Sequence, residues 1–161
     1  IYTSSMIILY LNSMLYHGFP NSKVKDIFEK LDHSAVYLLI AGTYTPYCLV
    51  VVGGTKGIVI CIIQWLLAIT GVFFKFKWID KFVKLHVANF LLMGWLIIFF
   101  VNTIYTGLSA AGFLLLFGGG VLYSIGTLFY IFDWFKFHHL VWHLFVLFAS
   151  VSVFFSIYLY M

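Results

Sequence analysis

Long apolar runs, broken at intervals by short polar stretches, set the plan of this chain. Six runs stand out, at 1–17, 34–52, 57–74, 86–105, 110–132 and 139–161. A helix rises about 1.5 Å per residue, so about 20 apolar residues cross the hydrocarbon of a bilayer. The first run, at seventeen residues, is at the short end of that range. The connections are too short to house a soluble domain. The pattern therefore predicts an all-α polytopic transmembrane bundle, a single integral-membrane domain over 1–161. The sequence opens on Ile1 and is apolar at once. With no basic leader it does not read as a signal peptide, and the expectation is that a piece of the bundle precedes it.

Composition strengthens this reading. Hydrophobic residues make up 64% and charged residues 9%, against roughly a quarter charged in soluble domains. Mean hydropathy is +1.09. There is no arginine, so the lysines set the topology. With alternating spans, the connections 18–33, 75–85 and 133–138 share one side and hold Lys23, Lys25, Lys30, Lys75, Lys77, Lys81, Lys84 and Lys136. Lys56 alone falls on the other side. Cytoplasmic loops carry the excess of Lys and Arg, which predicts that the lysine-rich side is cytoplasmic. The net charge of +4 expresses the same bias. No basic stripe interleaves with aromatics on a soluble face, so a nucleic-acid partner is not expected.

Other features concern packing. Cys48 and Cys61 match no metal or redox spacing and read as buried thiols. Trp78, Trp134 and Tyr158 suit the interface, where Trp and Tyr anchor, while Phe suits lipid. Pro46, within Gly42-Thr43-Tyr44-Thr45-Pro46, should kink its helix, with the threonines available to freed carbonyls. Gly118-Gly119-Gly120, followed by Ser124, should permit close helix contact.

Candidate chemistry gathers at the lysine-rich end. His17 closes the first run, and His139 and His143 open the last, so alternation places all three at one depth on one face. Ionisable side chains in a membrane segment are costly and mark function by default. Ser13 and His17 are four apart, as are His139 and His143, so each pair shares a helical face. Three imidazoles make a metal-ligand set. Asp32, at the same depth, would accept a hydrogen bond from a ligand or hold a metal-bound water. It would serve equally as a cap for a helix beginning at His33. His33 and His138 should border water, and His86 is the one competing ligand. Each histidine also has a plain reading as a polar interface anchor.

Taken in order, Ser13-Met14-Leu15-Tyr16-His17, Lys30-Leu31-Asp32-His33-Ser34, Gly42-Thr43-Tyr44-Thr45-Pro46 and Phe137-His138-His139-Leu140-Val141-Trp142-His143 resemble the hemolysin III family. That family is grouped with the adiponectin and progestin receptors. The motifs cover essentially the whole chain. The resemblance implies a seven-helix bundle with its N-terminus cytoplasmic, of which six spans are present and the first helix is missing here. It also implies zinc held by His17, His139 and His143, with Asp32 on the zinc-coordinated water and Ser13 close by. Many bacterial relatives carry a further histidine inside the last helix, where this chain reads Ser150-Val151-Ser152-Val153-Phe154.

Three functions compete. One is a zinc-dependent membrane hydrolase of a lipid amide or ester, a ceramide-like amide by the resemblance. Here the metal polarises the carbonyl and lowers the pKa of water to about 7, and Asp32 is the base. The second is a non-enzymatic receptor or haemolytic factor with zinc as a staple. The third, a transporter, wants charges at the midplane. The ionisable residues gather near one end of the bundle instead, so it ranks last. A pore, which the second function could use, is not supported either, since no span shows a polar stripe along its length and Asn89 and Asn102 look isolated. Membrane lipid and zinc are the expected partners, and the sequence does not specify an oligomeric state.

Overall fold

Helix is the only regular backbone among the described residues, which are 1–20, 23–77 and 83–161 of the computed structural model. In chain order these are α1 (Tyr2–Gly18), α2 (Lys23–Pro46) with a π-helical continuation over Tyr47–Val52, and α3 (Gly54–Lys77). Next come α4 (Val83–Trp95), a 3-10 stretch over Leu96–Phe100, and α5 (Val101–Gly107). The last are α6 (Ala110–Ile131) and α7 (His138–Tyr160). Five stretches are long and apolar enough to cross a membrane: Lys23–Val52, Gly54–Lys77, Val83–Gly107, Ala110–Ile131 and His138–Tyr160. The sixth expected span is α1, which at 17 residues is shorter. It stops where Phe19 turns extended, at φ −80 and ψ 142. Pro20 follows, and a proline pushes the residue before it out of helical geometry. Trp78 and Lys81, assigned above to the interface and to a lysine-rich loop, lie outside the described residues.

Two compact units make up the chain, residues 1–49 with 53–93, and residues 50–52 with 94–161. In the first, α1 packs on α2 and α2 on α3, around Tyr37, Ala41, Ala68 and Met93. The pattern of α3 is inverted relative to a soluble helix. Its buried face holds Gly57, Ile60, Gln64, Ala68, Gly71 and Lys75, while Ile58, Ile62, Leu66, Ile69 and Phe73 point outward. Apolar residues outside and polar or small residues inside is the arrangement a bilayer selects, since packing there relies on close approach and internal hydrogen bonds. At Gly71 a Cβ would collide with the Tyr37 ring, so this glycine sets the spacing of α2 and α3.

Several expectations change here. The second helix begins at Lys23, not at 34, because Val24, Ile27, Phe28 and Leu31 recur at helical spacing among the charges. Lys75, read as a loop lysine, lies in the last turn of α3 and is 2% exposed. Asn89 is not isolated, since it hydrogen-bonds Tyr37. Gln64, fully buried, donates to the Met93 carbonyl at 3.0 Å, so the interior is more polar than the sequence suggested. The break at Pro46 takes the form of the π-helical turn, closed by Gly53 N–H to the Cys48 carbonyl at 3.0 Å. Thr43 and Thr45 donate to the Leu39 and Ala41 carbonyls, not to that of Gly42, the one the missing proline N–H would leave free.

In the second unit, α6 lies against α7 along a seam of glycines seven residues apart. A Cβ on Gly112 would meet Tyr160 at 2.7 Å, one on Gly119 would meet Val153 at 2.7 Å, and one on Gly126 would meet Phe145 at 2.9 Å. Of the Gly118-Gly119-Gly120 run, only Gly119 belongs to this seam. Ser156 and Ser152 of α7 donate to the Gly112 and Leu115 carbonyls at 2.7 Å each. Ser150 lies 2.7 Å from the Tyr123 hydroxyl. The Ser150–Phe154 stretch, where relatives were expected to carry a histidine, is thus occupied by helix packing.

Candidate metal centre

Ser13 and His17 sit one turn apart on α1, and Asp32 lies on α2. Asp32 is not a cap. It falls in the middle of a helix that starts at Lys23, and it is buried, at 7% exposure. The Ser13 hydroxyl donates to its carboxylate, so the helix packed beside it satisfies this mid-helix acid. Glu29, one turn earlier on the same side, is close enough to interact with Asp32. Lys25, one turn before that, interacts with His17 and stands 5.5 Å from the Tyr16 ring centre. The sequence reading missed Glu29 and Lys25 because it assigned them to a loop. Counted back from Asp32 at three and four residues, both fall on its face.

His139 and His143 lie in the first two turns of α7. Their Nε2 atoms are 3.1 Å apart, with ring planes at 89° and centres at 4.7 Å. One helix thus presents two imidazoles that turn the same nitrogen toward one point. Tyr130 borders His139, at 6.3 Å between ring centres, and also Trp142, at 5.4 Å. Within its unit, this His139–His143 pair is a two-imidazole donor set with metal-ligand character.

The pair has the spacing that two ligands of a zinc ion would need. Tetrahedral zinc with nitrogens at 2.0–2.1 Å separates its ligand atoms by about 3.3 Å, close to the 3.1 Å of the His139–His143 pair. The remaining histidines are engaged differently from the expectation. His86, the competing ligand, is buried with Nδ1 at 3.0 Å from the Tyr37 hydroxyl. His138 is half-buried, bound to the Phe129 carbonyl at 2.8 Å and Asp133 at 3.1 Å. His33 is half-buried with its ring 6.1 Å from that of Tyr16. Neither His33 nor His138 is the water-facing residue expected, because the helices carrying them begin earlier than the apolar runs do.

The model of the haemolysin-III related family matches residues 1–154. This chain belongs to that family. Its relatives include the Hemolysin-3 homolog of Bacillus subtilis (strain 168), 49% identical over 160 residues, covering 99% of this chain and 75% of that protein. Hemolysin-3 of Bacillus cereus is 44% identical over 160 residues, covering 99% and 73%. The monocyte to macrophage differentiation factor of Homo sapiens is 26% identical over 170 residues, covering 100% and 69%. No solved structure matches. Family membership and five apolar helices of spanning length make this haemolysin III protein an integral, multi-pass membrane protein.

Proposed function

We propose that this haemolysin III family protein is a zinc-dependent membrane hydrolase acting on a ceramide-like lipid amide. The observation that carries the reading is the His139–His143 pair, whose Nε2 atoms stand 3.1 Å apart on one helix; His17 joins it in this proposal as the third ligand that the family resemblance implies. The reading is supported by a buried carboxylate, Asp32, held by Ser13 of the helix that also bears His17. His17, His139 and His143 hold the metal. Zinc bound there supplies a Lewis acid for the carbonyl and raises the acidity of water. The protein's own work falls to Asp32. Its carboxylate keeps lone pairs beyond the one Ser13 engages, so it takes up the proton of a water and returns it to the leaving amine. The burial of Asp32 keeps bulk solvent from competing for that proton.

Purified protein in detergent, assayed on a ceramide-like amide, should release free fatty acid. No turnover would favour a second reading, zinc as a staple between helices in a receptor-like or lytic protein. The Hemolysin-3 names of the relatives speak for that alternative.

The lysine-rich loops and the histidine end of the protein face the cytoplasm in this proposal, supported by the partition of lysines, eight against one. Lys84 is exposed at the start of α4. A Lys84→Cys protein should react with a membrane-impermeant maleimide only after cells are opened. Labelling of intact cells would reverse the orientation.

A further inference from the structure

The loop between α6 and α7 is built from the wrong residues for a loop in water. Four of its six side chains over 132–137 are aromatic, and all four are exposed: Phe132 46%, Trp134 57%, Phe135 45% and Phe137 61%. The rings form an ordered array. Phe132 and Trp134 stack with centres 5.5 Å apart and planes at 3°. Trp134 and Phe135 meet Phe129 of α6 edge-on, at 5.2 Å and 6.3 Å. Phe129 in turn stacks on Phe145 of α7 at 5.3 Å. His138 ties the backbone down, reaching the Phe129 carbonyl with Nδ1 and Asp133 with Nε2. A loop so anchored, yet presenting its rings outward, offers an apolar surface of fixed shape.

Both helices that flank the loop are of membrane-spanning length and hydropathy, so it falls where hydrocarbon gives way to headgroups. Aromatic rings partition to that level, and a lysine there is drawn to anionic lipid phosphate. Lys136 supplies that charge, its Nζ 5.6 Å from the Phe137 ring centre. We propose that residues 132–137 form an interfacial lip that binds phospholipid of the adjoining leaflet, with the rings seated at the top of the acyl chains and Lys136 on a headgroup phosphate. The chain passes from the lip straight into His138 and His139, so the seating of the lip sets how deep the histidine pair lies. Use of the lip as the entrance by which lipid reaches His139 and His143 rests on the zinc-hydrolase reading; the lip itself does not.

The test compares wild type with Trp134→Phe in phosphatidylglycerol–phosphatidylethanolamine vesicles containing lipids brominated at different depths. The other four tryptophans are common to both proteins, so the difference in emission belongs to Trp134. Lipids brominated high on the acyl chain should quench that difference several-fold more than deeply brominated ones or aqueous iodide. Stronger quenching by iodide would place the loop in water and overturn the proposal, as would protection from every quencher. A second arm isolates the entrance role. The triple variant Phe132→Ser, Trp134→Ser, Phe137→Ser should turn over a vesicle-embedded amide several-fold more slowly than wild type, and a short-chain micellar amide at an equal rate. Equal turnover of both substrates would remove the entrance role. Inactive wild type would remove the hydrolase reading, while the quenching result would still decide the lip.

Discussion

His139→Ala protein is expected to come off purification without zinc and without amide hydrolase activity. The side chain supplies one of the two Nε2 atoms that face each other across 3.1 Å on α7, and the neighbouring imidazole, His138, is engaged with the Phe129 carbonyl and Asp133. Even residues that merely support a ligand cost about 10- to 100-fold in metal affinity when lost, so removing the ligand itself should exceed that. The fold should survive, because His139 is only half-buried at the start of α7. The helical circular dichroism of the variant should therefore match wild type. Chelation of wild type should reproduce the loss of activity, and added zinc should restore it there and not in His139→Ala. Metal analysis finding a full complement of zinc in the variant would show that the group around His139 is not the binding site.

Asp32→Asn separates the metal from the chemistry. Asparagine keeps the shape of the side chain and an oxygen that can accept the Ser13 hydrogen bond. Fold and zinc content should therefore stay close to wild type. What disappears is a carboxylate able to take a proton. A general base contributes roughly 10²- to 10⁴-fold, so turnover should fall by about 10²-fold or more with little change in KM. Unchanged turnover in an otherwise active protein would leave Asp32 a purely structural partner of Ser13. Its position in mid-α2 already removes the capping role that its place before the apolar run had suggested.

What the sequence disclosed followed from the strength of each pattern. The runs at 110–132 and 139–161 agree with Ala110–Ile131 and His138–Tyr160 within a residue, because continuous apolarity leaves little choice of boundary. The start of α2 was illegible by the same criterion. Lys23, Lys25, Asp26, Glu29 and Lys30 mask a helical stripe of Val24, Ile27, Phe28 and Leu31, and charge density reads as loop. Lys75 misled for a related reason, since nothing in its local sequence shows that α3 continues to Lys77 with that side chain inward. The His139–His143 pair was legible from spacing alone, as one helical turn dictates it. The assignment of His17 to the same site rests on the alternation of spans and the family resemblance. Tyr130, Glu29 and Lys25, the surroundings of these residues, needed the fold.

The glycines of α6 also bear on how α7 can move. Gly112, Gly119 and Gly126 act as notches, each receiving a side chain of α7. Sliding α7 along its axis brings another side chain of the same face opposite a notch only after one turn, a step of about 5.4 Å, and breaks the Ser152 and Ser156 hydrogen bonds to α6. Any smaller shift sets side chains against side chains. The seam is thus a ratchet with widely spaced stops, and thermal drift of an ångström or two finds no resting place along it. The height of His139 and His143 of α7 relative to α6 is therefore set in units of a helical turn, a coarse scale that makes the intended position hard to miss.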